Sequence, residues 1–303
     1  LNMKIDKIDN LPDAIRYHQN IMEYDEDFIC LDFSNASFIR NNYLSILGLA
    51  LELQKEDGKK IKIVPPTKIT VKNSMKRIGF LSRFSDDAIG IDNSNTMVKY
   101  THIPLENHDQ ALAEFYIYFK QQLERKVKNL SPELSNKIIQ KIFELFSNVF
   151  RHSKSELGLF CSGQFYPSND KFYFTIVDGG VTIKNNVNQY FKKEFKKNRT
   201  LGDKIFGKEK FKNKSGLEAI EWSMKEKHST TGEGGLGLSL LRELILKSNG
   251  VLDIISNDGY YSTRNNKLND NKLSSSFNGT IISIGLDTDI SKYFYLVGEK
   301  NES

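Results

Sequence analysis

Leu134, Ile138, Ile142, Leu145, Phe146 and Val149 recur at intervals of three and four residues, a spacing that lines one face of an α-helix. Just downstream the period shortens to two. Leu157-Gly158-Leu159-Phe160 and Phe172-Tyr173-Phe174-Thr175-Ile176-Val177 read as paired strands, with Pro167-Ser168-Asn169-Asp170 as the turn between them. A helix with one apolar stripe and a hairpin with one apolar face each need a cover, so this stretch predicts a helix packed on an antiparallel sheet. A long helix is expected from about Asn107 to Asn129, and Ser131-Pro132 starts the next. Further on, a helix is expected from Gly216 to Lys227 and another from Leu238 to Lys247, stopped by Asn249-Gly250. Strands follow at Val251-Leu252-Asp253-Ile254-Ile255 and Thr280-Ile281-Ile282-Ser283-Ile284, separated by an Asn- and Ser-rich loop, 257–279.

The first hundred residues have a different rhythm. Phe28-Ile29-Cys30-Leu31-Asp32-Phe33 reads as a buried strand, Tyr43 to Lys55 as a helix ended at Gly58, and Ile61-Lys62-Ile63-Val64 as a second strand closed by Pro65-Pro66. Strand, helix, strand implies a parallel βαβ unit. The fold class is therefore α/β, and 303 residues suffice for two domains, expected at 1–100 and 106–303.

Composition removes several classes. With 39% hydrophobic residues the chain is neither disordered nor collagen-like. Its longest apolar runs, such as Ile46-Leu47-Gly48-Leu49-Ala50-Leu51, fall far short of the ~20 residues of a spanning helix. Leu1-Asn2-Met3-Lys4 has no signal-type apolar core, so a cytoplasmic protein without membrane contact is expected. Cys30 and Cys161 sit in apolar surroundings without ligand spacing and read as reduced core residues. The net charge of +5 is concentrated: 184–214 holds ten Lys and Arg199 against Glu194, Asp203 and Glu209, a local net of +8. Such a segment suits a nucleotide, or less well nucleic acid, because it lacks interleaved Arg and its aromatics (Tyr190, Phe191, Phe195, Phe206, Phe211) can serve packing.

Three features carry chemistry. On the helix expected at 133–153, Glu144, Asn148, Arg151 and His152 fall at i, i+4, i+7 and i+8, one stripe that can meet one ligand. A carboxylate can deprotonate water, an amide oxygen can ligate Mg²⁺ and a guanidinium can neutralise phosphate; a solvated polar face is the plainer explanation. Asp178-Gly179-Gly180 ends a buried strand with a group that accepts from an exocyclic amine, although Asp-Gly-Gly is more often a turn. Gly232-Glu233-Gly234-Gly235-Leu236-Gly237 feeds a helix beginning at Leu238, where free backbone N–H groups hold phosphate, or it is an ordinary bend. Gly202 to Lys208 matches the spacing of a P-loop, but Glu209 stands where Ser or Thr would hold Mg²⁺ and no apolar strand precedes it.

In order, these elements are Glu-x-x-x-Asn on a helix, strand-Asp-x-Gly, a long polar segment, Gly-Gly-Leu-Gly-Leu opening a helix, and Gly279-Thr280 opening a last strand. The order resembles that of the GHKL ATPases, which include histidine kinases, anti-sigma-factor serine kinases, Hsp90, gyrase B and MutL. The resemblance covers about 107–290 and implies a Bergerat-fold α/β sandwich, with helices on one face of a mixed sheet. It implies ATP and Mg²⁺ as ligands and a basic lid at 184–231. Under it Glu144 is the general base, Asn148 the Mg²⁺ ligand, Arg151 the phosphate contact and His152 the adjacent ring. Asp178 reads adenine with Gly180 beside it. Gly232, Gly234, Gly235, Leu236, Gly237 and Leu238 form the phosphate side, and Thr280 supports Asp178 and adenine through a hydrogen bond. Thr182 departs from the family's Asp-x-Gly-x-Gly, which bears on lid flexibility.

Leu31-Asp32-Phe33-Ser34, Ser37-Phe38-Ile39-Arg40-Asn41-Asn42 and Lys60-Ile61-Lys62-Ile63-Val64 look like a STAS domain of the anti-sigma-antagonist type. Asn41 and Asn42 stand where that family has its phosphate-accepting Ser or Thr, which implies a docking or regulatory module. The expected function is an Mg²⁺-dependent ATP-hydrolysing switch that couples its nucleotide state, ATP or ADP, to a protein partner or second protomer through the N-terminal domain or lid. The alternatives are a serine/threonine kinase of the partner-switching type and a non-hydrolysing ATP sensor. His102 and His108 lie too close to Asn148 for the dimerising hairpin of an ordinary histidine kinase.

Overall fold

The computed structural model describes residues 2–198, 212–225, 237–264, 276–296 and 298–299. The N-terminal part runs β1 (Asn2–Lys4), β2 (Lys7–Ile8), α1 (Leu11–Met22), β3 (Phe28–Asp32), β4 (Phe38–Ile39), α2 (Leu44–Glu56), β5 (Lys60–Val64), α3 (Ile69–Ile78) and α4 (Phe80–Phe84). Strands β1, β3 and β5 form a parallel sheet in that order, so the expected βαβ unit is present.

The remainder forms one six-stranded sheet with helices. Its elements are β6 (Met97–Ile103), α5 (His108–Lys126), α6 (Pro132–Asn148), β7 (Leu159–Tyr166), β8 (Lys171–Asp178), α7 (Ile183–Asn198), α8 (Gly216–Ser223), α9 (Gly237–Lys247), β9 (Val251–Asn257), β10 (Gly259–Ser262) and β11 (Phe277–Asp287). Helix α6 starts as its sequence dictates: the Ser131 hydroxyl accepts from the Leu134 N–H and Pro132 fills the first turn.

The strand order is β10-β9-β11-β8-β7-β6, and every pairing is antiparallel. This corrects the mixed sheet that the family resemblance implied. Strands β8 and β9 do run the same way, but β11 inserts between them and pairs antiparallel with both. Two strands were hidden in presumed connectors: β6, in the stretch between the two parts, and β10, inside the loop 257–279. A boundary at residue 100 therefore falls inside β6.

The six-stranded sheet is covered on both faces. Phe172, Phe174 and Ile176 of β8, with Leu252, Ile254, Ile282 and Ile284, face α5, α6 and α9. The alternate positions, Phe160, Val177, Ile255 and Ile281, join the core of the N-terminal part. Helix α2 makes that junction. It is buried on nearly every side because α1 and β5 lie against it on one flank and β7 and β8 on the other. Gly48 admits the ring of Tyr100, since a Cβ there would collide with the phenol.

A buried polar layer fixes the register of the junction. Asn42 Nδ2 donates to Thr175 Oγ1 (3.0 Å), Thr175 to Ser283 Oγ (3.1 Å), and the Ser45 N–H to Ser162 Oγ (3.1 Å). Asn41 Nδ2 donates to Gln164 Oε1 at 2.8 Å. Asn41 and Asn42, 1% and 0% exposed, thus act as the seam between the two parts. Cys30 and Cys161 are buried free thiols, and burial raises the Cys161 pKa. Among the described residues no helix is long and apolar enough to cross a membrane.

Candidate functional site

Four segments converge where β8 ends. Asp178 is its last residue, 3% exposed, and opposite it in register stands Thr280 of β11. The Asp178 carboxylate accepts from the Gly180 N–H at 2.9 Å. Burial pushes its pKa from an ordinary 3.8 up to about 7, against the opposing bonds from the Gly180 N–H and Ser153. The chain then runs under the end of α6: the Val181 N–H donates to the Ser153 carbonyl, and Gly180 lies so close to that carbonyl that a Cβ would overlap it. Gly279, at φ +133°, leaves no room for a Cβ against the Asp178 carbonyl.

The other side of the site is α6 itself. Glu144 and Asn148 share one α-helical face, as the spacing required. The α-helical stripe does not continue as far as Arg151. After Asn148 the backbone passes into a π-helical turn, Val149–Ser153, whose i→i+5 bonding widens the winding and rotates Arg151 off the line through Glu144 and Asn148. Arg151 is exposed, and His152 lies in the same turn.

Helix α9 begins against Glu144, since a Cβ on Gly237 would stand 2.8 Å from Glu144 Oε1. Leu238, in its first turn, is half-buried. Gly232, Gly234, Gly235 and Leu236 lie outside the described residues, as do Gly202 to Lys208, which carry the P-loop spacing. On its other oxygen Glu144 is ion-paired: Lys141 Nζ lies 2.6 Å from Oε2.

Two positions singled out in the sequence have partners of their own. The Thr280 hydroxyl lies 3.1 Å from Ser256 Oγ on the neighbouring strand β9. Ser256 Oγ donates to the Gly279 carbonyl and accepts from the Ile183 N–H at 2.9 Å, which ties the start of α7 to β11. Thr182, the departure from the family's glycine, is 3% exposed, and its hydroxyl accepts from the Asn185 N–H at 3.2 Å. It caps α7, so the position has become a helix start. Lys141, Ser153 and Ser256 were not singled out in the sequence; only Lys141 had a signal, its place one turn before Glu144.

Of the basic segment, 184–198 and 212–225 are described. Lys192, Lys193, Lys196 and Lys197 are exposed on α7, while Tyr190 and Phe191 pack on Trp222 of α8 at 5.4 and 5.3 Å between ring centres. Those two aromatics serve the α7–α8 contact. Phe206 and Phe211 lie outside the described residues.

Among the described residues no group of three or more His, Cys, Asp or Glu side chains is placed to hold a metal alone. Asn148 offers one hard oxygen ligand, and Mg²⁺ commonly takes the rest of its shell from phosphate and water. A cleft lined by Glu221, Lys225, Arg242 and Tyr261 lies between α8, α9 and β10 and contains none of the expected site residues.

No protein-family model matches the chain, and no curated protein matches it in sequence.

Proposed function

We propose that the chain is a cytoplasmic ATP-binding switch of the GHKL type, with adenine read at Asp178 and phosphates held between α6 and α9. One observation carries this reading. A carboxylate 3% exposed and, among the described residues, without an ion-pair partner sits at a strand end where Gly180, Ser153 and Thr280 converge. Burying such a group costs several kcal/mol unless it is paired or hydrogen-bonded, perturbed carboxyl groups of this kind cluster at functional sites, and its ionised form is an acceptor shaped for an exocyclic amine. Asn148 would hold Mg²⁺ and Glu144 would take the proton of the water that attacks the terminal phosphorus. Mg²⁺, when bound, offsets the charge on the phosphate oxygens.

Two further readings use the same site. In the kinase reading, the Glu144 carboxylate deprotonates a hydroxyl of a partner protein. Under the STAS resemblance the acceptor position of this chain's own N-terminal part is not a substrate, because Asn41 and Asn42 stand there and are sealed against the sheet. In the sensor reading, the Lys141 pairing keeps Glu144 from acting as a base.

Incubation with γ-labelled ATP and Mg²⁺ separates them. Released phosphate supports hydrolysis, label on a partner supports the kinase, and bound but intact ATP supports the sensor. Glu144→Ala should retain ATP binding and lose ~10²-fold or more in turnover. Full turnover in that variant would remove Glu144 from the base role.

A further inference from the structure

Three polar members of the α-helical line lie at the site itself. Lys141, Glu144 and Asn148 fall at i, i+3 and i+7 on α6 before the π turn, whereas Arg151 lies within that turn and is exposed. Lys141 is a cation that shares this face one turn from the base, whereas Lys137, on the same face, lies two turns away and is exposed. Its side chain is 16% exposed, and its one ion-pair partner among the described residues is Glu144, at 2.6 Å. Glu144 is in turn closed in by Gly237 at the start of α9.

We propose that Lys141 is the residue that recognises the terminal phosphate of ATP, and that it leaves Glu144 to do so. This inference rests on the nucleotide reading of the site. A partly exposed i,i+3 pair contributes little, about 0–1 kcal/mol, so a ligand bearing several phosphate charges beside it outcompetes the carboxylate for the ammonium. The exchange has a consequence for catalysis. Without nucleotide, or with ADP, the cation stays on Glu144 and the base is masked. With ATP, the ammonium turns to the third phosphate, and Glu144 is unpaired at the moment a water must be deprotonated. Lys141 thus both tells triphosphate from diphosphate and keeps the base idle until the triphosphate is in place.

The test is the ratio of ADP to ATP dissociation constants, measured with Mg²⁺ on the full chain. One charge-assisted contact to the third phosphate predicts that wild type favours ATP about tenfold. Lys141→Met should bring the ratio near one and leave ADP affinity within about twofold, because ADP lacks the group in question. Lys141→Arg, which keeps the charge, should retain most of the preference and guards against a folding defect in the Met variant. If wild type and Lys141→Met both bind nucleotide and share one ratio, the lysine assignment fails and the nucleotide reading stands. If wild type binds neither nucleotide, the reading of the site fails and the lysine assignment with it.

Discussion

Asp178 exerts opposite pulls on stability and on binding. Its pKa in the folded chain, about 7, stands above the ordinary 3.8, so the folded state binds the proton more tightly than the unfolded state. The stabilising contribution of that proton is complete below pH ~4 and is lost as pH rises through ~7, a change of about 4 kcal/mol from this group. Asp178→Asn removes the titration. The variant should gain stability relative to wild type as pH rises from 5 to 8, when both are unfolded in denaturant. Its adenine-nucleotide affinity should fall at least tenfold, since an amide in this place presents a weaker acceptor. Unchanged affinity would show that Asp178 does not read the base. Wild-type affinity should rise through pH ~7 as the acceptor ionises. Asp178 and Glu144 were both legible in the sequence, because each stands at a motif position on an element whose period is clear. The contact of the Thr280 hydroxyl with Ser256 was not legible, since Ser256 comes from a neighbouring strand whose register no local pattern reveals.

Elements were legible where one face is apolar and the other is wet. Helix α6 and the β7–β8 hairpin have that pattern and lie where the spacing put them. Edge strand β6 shows only Met97, Val98 and Ile103 as buried apolar positions, and β10 is four residues inside a polar stretch, so neither has a period to read. The π turn was invisible for another reason: the α-helical spacing of Arg151 and His152 holds only if the winding stays at 3.6 residues per turn. What fixes the widened turn is its end, where Ser153 holds Val181 and Gly180. Gly180→Ala forces a Cβ onto the Ser153 carbonyl and should cost about 1–3 kcal/mol in denaturant unfolding, with a parallel loss of nucleotide affinity. Gly179→Ala is the control, because its Cβ would rest at 3.4 Å from a methyl of Leu49, an ordinary contact. Equal tolerance at both positions would mean that the α6–β8 junction is not what shapes the site.

The all-round burial of α2 changes what the two parts are to each other. Its run Ile46-Leu47-Gly48-Leu49-Ala50-Leu51 is apolar on every side, and a helix of that kind needs cover on every side. The six-stranded sheet supplies part of that cover, and the N-terminal part in return seals Phe160, Val177, Ile255, Phe277 and Ile281. At about 1.5–3 kcal/mol for each buried side chain, these five contribute on the order of 10 kcal/mol, as much as the whole net stability of an ordinary domain. A fragment starting at Thr96, which keeps β6 but lacks the N-terminal part, should therefore fail to fold as a soluble monomer. The full chain should unfold in one transition, with Trp222 fluorescence and far-ultraviolet circular dichroism coinciding. Two separated transitions, or a folded fragment that binds nucleotide, would restore the picture of independent domains. The same seam joins the site to the N-terminal part, since Gly179, next to Asp178, rests on Leu49 and Leu53 of α2. If unfolding is a single event, saturating ATP stabilises the whole chain by RT ln(1 + [L]/Kd), about 2.7 kcal/mol at a hundredfold excess over Kd. Both probes should then move to higher denaturant together; a shift in one alone would show that the seam yields before the site does.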